Sequence, residues 1–210
     1  MGLRGWWSRL WRDLREPGDR GWLRRDGHDL KWPRTSLPLP VLYAPSAEPF
    51  VGDVLACCRQ LNAQLQGSAV MLPDPVISEL YDQFYEPKAL VRNLILVELA
   101  GHTRKVPLHG SIGLDDGDPK DGHCDIRYDR RTGAILNARI LIPQGFGAYR
   151  LQERHAILLH EFCHALGLGH DDDHATRSIM HPDRITRPQL LYTGDVERLR
   201  AAYLTAPAPR

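Results

Sequence analysis

Three histidines and one glutamate between residues 160 and 170, in the sequence HEFCHALGLGH, have the spacing of a metal site. His160 and His164 are four residues apart, so on a helix both imidazoles project from the same face and reach one ion. Glu161 then lies beside that ion. His170 follows six residues later and joins only if the helix ends first, which Gly167 permits because glycine adopts the left-handed conformation that ends many helices.

Three neutral imidazoles are typical ligands of a catalytic zinc ion. They leave the fourth tetrahedral position open to water, whereas a structural zinc site is closed by four protein ligands. A carboxylate that lies next to the ion without binding it can take a proton from that water. The segment therefore predicts a zinc ion bound by His160, His164 and His170, with Glu161 as general base. Cys163 lies in the same segment, and we predict that it packs in the core.

This segment resembles the metzincin metallopeptidases, whose signature HExxHxxGxxH is followed by a turn that contains methionine. The sequence SIMHP, from Ser178 to Pro182, matches that turn. Proline stands where astacin-like and serralysin-like enzymes have tyrosine, so the chain most resembles the matrix-metalloproteinase-like branch. The segment between His170 and Met180 is longer than is usual in that branch.

The resemblance implies both a fold and a reaction. The fold would be an α+β domain with a twisted mixed sheet, an antiparallel edge strand, a zinc-binding helix and a C-terminal helix. The reaction would be hydrolysis of peptide bonds in an extended peptide or protein, whose main chain would pair with the edge strand. Met180 would support the ligands by packing and would take no part in acid or base chemistry. The resemblance assigns the hairpin at 123–142 to the antiparallel edge strand, near Ile126, and the strand beside it. Candidate substrate-binding residues are Ile126, Tyr128, His181 and Pro182.

The acidic segment from 101 to 122 is predicted to be a loop. Matrix-metalloproteinase-like domains hold structural zinc and calcium at about this place, and carboxylate oxygens suit calcium. The candidate ligands of a second ion, Ca²⁺ or Zn²⁺, are His109, Asp116, Asp118 and His123. A solvated turn is the favoured interpretation, because the spacing matches no specific metal loop and Asp, Gly and Pro are common in loops.

Residues 1–35 differ in composition from the rest of the chain, since all five tryptophans lie here among many arginines. Apolar residues recur at helical spacing from Leu3 to Leu14, which predicts a short amphipathic helix. Its apolar stripe packs back onto the catalytic domain, docks to a partner protein or lies in a membrane interface, where tryptophan and arginine are favoured. We therefore divide the chain into an N-terminal arm, 1–35, and a catalytic domain, 36–206.

Composition limits the other classes of function. The chain of 210 residues has a formal net charge of +1, which gives no general case for binding nucleic acid, and none is expected. Its four cysteines do not form a disulfide framework, although a bridge from Cys124 stays open. No apolar run is long enough to span a bilayer, and arginines interrupt the N-terminus, so no secretory signal is expected. A cytoplasmic or particle-associated location is favoured.

The periodicity of apolar residues predicts the remaining elements. They are a strand at 37–44, a helix at 49–66, a strand at 90–99, a hairpin at 123–142, the zinc helix at 148–166 and a final helix that starts at 193–195. Residues 76–85 favour a helix over a strand.

Two other functions stay open at this point. The chain can be a structural or docking component of a larger particle, such as a phage or secretion particle, in which the tryptophan-rich arm does the binding. It can also be an amidase of cell-wall peptides, which would share the zinc chemistry and differ in the pocket. The presence of Glu161 favours an enzyme, because its loss would be the simplest route to an inactive relative.

Overall fold

The computed structural model describes side chains in residues 21–65, 93–100, 122–171, 177–181 and 191–204, and the backbone alone in 76–77 and 111–115. These residues form an α+β fold of three α-helices and a mixed sheet. Within them, no helix combines the length and the apolar character needed to cross a membrane. The amphipathic helix predicted near the N-terminus lies outside the described residues.

Within the described residues, eight short strands build a two-stranded hairpin and a six-stranded sheet. The strands are β1 (Arg24–Arg25), β2 (His28–Asp29), β3 (Val41–Tyr43), β4 (Val76–Ile77), β5 (Ile95–Leu99), β6 (Ser111–Asp115), β7 (His123–Tyr128) and β8 (Ile135–Ile142). β1 pairs with β2, and the large sheet has the order β4-β3-β5-β8-β7-β6. β4, β3, β5 and β8 run parallel, whereas β7 is antiparallel to both β8 and β6. The predicted hairpin and the mixed character of the sheet are confirmed.

The helices are α1 (Val51–Gln64), α2 (Leu151–Ala165) and α3 (Thr193–Tyr203). α2, the predicted zinc helix, packs against α1 on one side and against β7 and β8 on the other. The core lies between these elements. It includes four fully buried residues, Val97, Ile140, Leu158 and Phe162. The helix that carries the candidate ligands is therefore held from two sides.

The predicted elements and the observed ones differ mainly at their ends. The first strand of the large sheet starts at Val41 and not at residue 37, because Pro38 and Pro40 have no N–H to donate to a ladder. Val76 and Ile77 belong to β4, so the helix predicted for 76–85 was wrong for these two residues. The rest of that predicted helix lies outside the described residues.

β7 is an interior strand of the sheet, and this corrects the prediction that it is the exposed edge. β6 pairs with its outer side, in a register that runs from Ser111 opposite Arg127 to Asp115 opposite His123. The segment from 101 to 122 was predicted to be a loop. This prediction was wrong for residues 111–115, which form β6. Its sequence SIGLD offers little strand signal, because Gly and Asp are depleted in strands. Among the described strands, β6 is the antiparallel edge.

Residues 21–35 contribute Trp22, Leu30 and Trp32 to the core, so this segment does not form a separate arm. Trp22 and Trp32 are 5% and 3% exposed. The indole Nε1–H of Trp32 donates to the carbonyl of Ala165, at the end of α2, over 2.8 Å. Packing against the core therefore begins before residue 35, where the boundary was predicted, and includes Trp22. For residues 1–20, which the structure does not describe, an arm stays a prediction.

The sheet face opposite the helices carries a buried ion pair. Asp125 and Arg139 lie opposite each other in β7 and β8 and are 6% and 7% exposed. Nε–H of Arg139 donates to Oδ2 of Asp125 over 2.8 Å, and Nε2 of His123 lies 3.0 Å from Oδ1. Burial raises the pKa of Asp125, but the hydrogen bond from His123 and the charge of Arg139 outweigh it and lower the pKa overall.

Replacing Asp125 with asparagine is expected to destabilise the protein by about 3 kcal/mol at pH 7, because it leaves a buried guanidinium without its countercharge. The pKa of Asp125 is lower in the folded protein than in the unfolded chain, so the pair stabilises above about pH 4 and this contribution is lost as the pH falls further. Urea unfolding at pH 7 and pH 3 measures the difference. Glu48→Gln, at an exposed carboxylate, is the control, and an equal cost of Asp125→Asn at both pH values would contradict the prediction.

Candidate metal centre

The three histidines of HEFCHALGLGH converge in space. Their nearest ring nitrogens all lie within 4.8 Å of one another, and Nε2 of His164 is 3.1 Å from Nε2 of His170. His160 and His164 project from the same face of α2 and are fully buried, and His170 is partly exposed. Among the described side chains, this is the only group of three or more His, Cys, Asp or Glu residues that is close enough to hold a metal ion.

Hydrogen bonds to backbone carbonyls orient two of the rings. Nδ1 of His160 lies 2.7 Å from the carbonyl oxygen of Ile179, and Nδ1 of His164 lies 2.8 Å from that of Leu168. A carbonyl only accepts, so Nδ1 carries the proton and donates in each case. The lone pair of each neutral ring is then on Nε2. This arrangement raises the basicity of a metal-binding imidazole and fixes its direction.

The donor set fits zinc. Two nitrogens bound at about 2.0 Å to a tetrahedral ion stand about 3.3 Å apart, close to the separation of the His164 and His170 nitrogens. Neutral imidazoles are borderline-soft ligands that suit zinc better than calcium or magnesium, which prefer oxygen. The three histidines therefore lie close enough to bind one metal ion, and their nitrogen donors are of a kind that suits zinc.

Gly167 ends α2 and turns the chain so that His170 can return. Its φ is +93°, and the N–H groups of Gly167 and Leu168 donate to the carbonyls of His164 and Cys163, as in a Schellman motif. A Cβ at this position would also lie 2.2 Å from the carbonyl oxygen of Leu30. Glycine is thus required both by the backbone conformation and by the close approach of the N-terminal segment.

The N-terminal segment runs alongside the turn that carries the third histidine. The N–H of Leu23 donates to the carbonyl of Gly167 over 2.9 Å, and the N–H of Gly169 donates to the carbonyl of Gly21 over 3.0 Å. Between these bonds, Trp22 forms an antiparallel bridge with Leu168. The backbone that precedes His170 is therefore held like a strand, although the two segments are distant in sequence.

The turn Ser178–Met180 is buried below the same site and is bonded to two of the ligand-bearing segments. The carbonyl of Ile179 accepts a hydrogen bond from Nδ1–H of His160, and the carbonyl of Met180 accepts one from the N–H of Asp171 over 3.0 Å. Met180 itself is fully buried in the core. The methionine-containing turn predicted from SIMHP thus lies where it supports the histidines.

Asp195, at the start of α3, anchors this turn. Its carboxylate is fully buried and accepts the hydroxyl of Ser178 over 2.6 Å and the N–H of Ile179 over 2.9 Å. Nη2 of Arg198 donates to the same carboxylate over 2.5 Å and to the hydroxyl of Ser178 over 3.1 Å. The position of the carbonyl that orients His160 therefore depends on one carboxylate of the last helix.

Glu161 is fully buried next to the first histidine of the site. Its carboxylate lies against Gly122, the residue that leads into β7: a Cβ on Gly122 would stand 2.9 Å from Oε1 of Glu161. Glu161 is not a member of the cluster of potential ligands. The carboxylate therefore does not compete with the histidines for an ion.

The four cysteines are buried thiols and do not extend the ligand set. Cys163 lies within the core, and burial raises its pKa well above the usual value. Burial likewise raises the pKa of Cys57, and it raises that of Cys58 to about 12. A thiol is a metal ligand only as the thiolate, which these sites disfavour. The prediction that Cys163 packs in the core agrees with its position.

The candidate substrate-binding residues are not brought together at the site. Ile126 is fully buried in the core, and Tyr128 is 9% exposed with its hydroxyl donating to Asp26 over 3.1 Å. Both were chosen because β7 was expected to be the edge strand, and that expectation was wrong. His181 is 2% exposed, inside the turn that follows Met180. Pro182 lies outside the described residues.

The candidate ligands of a second ion are divided between described and undescribed residues. His123 lies in β7 and pairs with Asp125. His109, Asp116 and Asp118 lie outside the described residues, so a second ion stays a prediction.

Sequence reasoning missed several residues that position the site: Trp22, Trp32, Gly122, Asp195 and Arg198. Asp195 was noticed only as part of a helix start, and the tryptophans only as part of an arm. Their roles depend on contacts with distant segments, for which the sequence carries no periodic signal.

No protein-family model, curated protein or solved structure compared with this chain matches it.

Proposed function

We propose that this protein is a zinc-dependent endopeptidase of the metzincin type that hydrolyses peptide bonds in extended peptides or proteins. The observation that carries the proposal is the convergence of three histidines with a buried glutamate next to the first of them. Three imidazoles without a fourth protein ligand are typical of catalytic zinc, and the glutamate is the base that hydrolysis requires. The Ser178–Met180 turn beneath the ligands supports the same assignment.

His160, His164 and His170 would hold the ion through their ring nitrogens. Zinc, when bound, supplies a Lewis acid that polarises a carbonyl and lowers the pKa of a water molecule. Ile179 and Leu168 keep the protons of two rings on Nδ1. These carbonyls therefore maintain the tautomer that binding requires.

Glu161 would take a proton from the attacking water and deliver it to the leaving nitrogen. A single carboxylate can do both, because it is first a base and then, once protonated, an acid. Its burial excludes bulk water from the carboxylate, which strengthens its interaction with nearby charge. The backbones of α2 and of Gly122 confine it to one side of the histidines.

The strand that would pair with the backbone of an extended substrate is β6. An edge strand offers N–H and C=O groups to a peptide that adds itself to the sheet. β6 reaches Asp115, which is opposite His123 in the register, one residue from Gly122 and its contact with Glu161. A peptide along the outer side of β6 would therefore run towards the base.

The test is the dependence of cleavage on zinc. We expect the purified protein to hold about one zinc ion per chain and to cleave a denatured, fluorescently labelled protein. A zinc chelator should abolish cleavage, and added Zn²⁺ but not Mg²⁺ should restore it. His164→Ala should lose the metal, because it removes one of three ligands. His155→Ala, a control in the same helix, should retain it.

Zinc binding without cleavage of any peptide would contradict the peptidase. That result would favour the docking component as the function. Cleavage confined to cell-wall peptides would favour the amidase.

A further inference from the structure

Gly122 lies so close to Glu161 that a side chain at position 122 has no room. It has a φ of +99° and lies immediately before β7. A Cβ built on Gly122 would stand 2.9 Å from Oε1, 3.1 Å from Cγ and 3.2 Å from Cδ of Glu161. The first of these distances is shorter than real contacts of a Cβ, and the other two are tighter than most. The end of the glutamate side chain thus occupies the space that a Cβ on this glycine would need.

The backbones on both sides of this contact are held in place. His123, the next residue, pairs with Leu141 of β8, so the start of β7 belongs to the sheet. Glu161 lies in the buried middle of α2, which packs against β7 and β8. Neither backbone can move away without disturbing the core. A side chain at position 122 would instead displace the carboxylate of Glu161.

We propose that Gly122 is a positioning residue for the reaction: because it has no side chain, it lets the carboxylate of Glu161 lie beside the three histidines. This inference rests on the proposed function, since it assigns Gly122 a part in placing the general base. The inference predicts that position 122 requires glycine for two reasons: the positive φ, and the space that the side chain of Glu161 occupies.

The metal ligands are held by other contacts. His160 and His164 are oriented by the carbonyls of Ile179 and Leu168, and neither belongs to β7. The backbone before His170 is held by the N-terminal segment. A change at Gly122 is therefore expected to move the carboxylate of the base and to leave the binding of the metal unchanged.

The test compares three variants of the full-length protein. Gly122→Ala adds both a Cβ and the strain of a positive φ, whereas Gly122→Asn adds the Cβ with a residue that tolerates a positive φ. Gly27→Ala is the control for strain alone, because Gly27 has a φ of +80° and nothing within 4 Å of a built Cβ. Asparagine also keeps the proposal testable if the alanine variant does not fold.

Zinc content, kcat and KM are measured for each variant. We expect both Gly122 variants to bind zinc as the wild type does and to lose about 100-fold in kcat, with KM nearly unchanged, because a base that is misplaced by about 1 Å loses this much. Gly27→Ala should keep its kcat. A kcat of Gly122→Asn within twofold of the wild type would overturn the proposal, as would a loss of zinc from both variants.

A crystal structure of the zinc-loaded Gly122→Asn protein distinguishes failure of this inference from failure of the proposed function. A displaced Glu161 carboxylate with all three histidines in place would support the role of Gly122 even if the wild type cleaved no peptide. An unmoved carboxylate would refute that role even if the wild type were an active peptidase.

Discussion

Replacing Glu161 with glutamine is expected to lower kcat/KM for peptide cleavage by about 10³-fold while zinc stays bound. Glutamine has nearly the same shape as glutamate, so it fits the buried position in α2 without a cavity. It cannot accept the proton of the attacking water. Since Glu161 is outside the cluster of potential ligands, the change leaves the three imidazoles intact.

The measurement pairs cleavage of a labelled, denatured protein with zinc content by mass spectrometry. Glu153→Gln is the matched control, because Glu153 lies in the same helix near its N-terminus, where its carboxylate accepts the N–H of Arg150. This control should change cleavage by less than about twofold, since its carboxylate can be replaced by an amide oxygen as acceptor. Activity that survives in the zinc-loaded Glu161→Gln protein would show that another group acts as base.

Replacing Asp195 with alanine is expected to destabilise the protein by about 4 kcal/mol. Its buried carboxylate is the shared acceptor for four donors, so the change leaves all four without this partner: Ser178, Ile179, Tyr192 and Arg198. Donors that are buried and lose their acceptor cost more than the hydrogen bonds themselves contribute. The guanidinium of Arg198 would add the cost of an uncompensated charge.

The same change is expected to weaken zinc binding by about 10- to 100-fold, the usual effect of losing a residue that orients a ligand. Two hydrogen bonds connect Asp195 to the candidate ligand. Asp195 accepts the N–H of Ile179, and the carbonyl of Ile179 accepts Nδ1–H of His160. Stability is measured by urea unfolding of the zinc-free protein, and affinity by competition with a chromophoric chelator. Separate measurements keep the loss of metal from being counted as a loss of stability.

Glu197→Ala is the matched control for Asp195→Ala, because Glu197 is an exposed acid on the same helix. It should change stability by no more than about 0.5 kcal/mol. An Asp195→Ala protein that binds zinc as tightly as the wild type would refute the proposed path from α3 to His160.

Deletion experiments on the N-terminus follow from the packing of residues 21–35. A deletion of residues 1–35 would remove Trp22 and Trp32 from the core and the hydrogen bond from Trp32 to the end of α2. A deletion of residues 1–20 leaves these contacts intact. Only the shorter deletion can therefore test whether the arm binds a partner protein or a membrane surface.

The fold was predictable where local periodicity is strong. α1, α2 and the β7–β8 hairpin were expected within a few residues of their ends, because amphipathic spacing and a Gly-containing turn are local signals. β4 and β6 were missed. β4 has only two residues, and β6 contains Gly and Asp, which are depleted in strands, so each forms only because a neighbouring strand supplies its hydrogen bonds.

The amino-acid sequence by itself determined which side chains form the candidate metal site and the proposed base. The spacing of His160, Glu161 and His164 within one helix turn decides which side chains share a face, and Gly167 decides that the chain can return to bring in His170. These relations depend on helix geometry over a few residues. They would hold in any fold that keeps α2.

The tertiary structure alone decided what positions those residues. The carboxylate of Asp195, 17 residues beyond Ser178, and the indole of Trp32, 133 residues before Ala165, reach the site only through packing of distant segments. Gly122 meets Glu161 because β7 is paired with β8 in one register. Contacts of this kind depend on strand register and core packing, which no local spacing of residue types specifies.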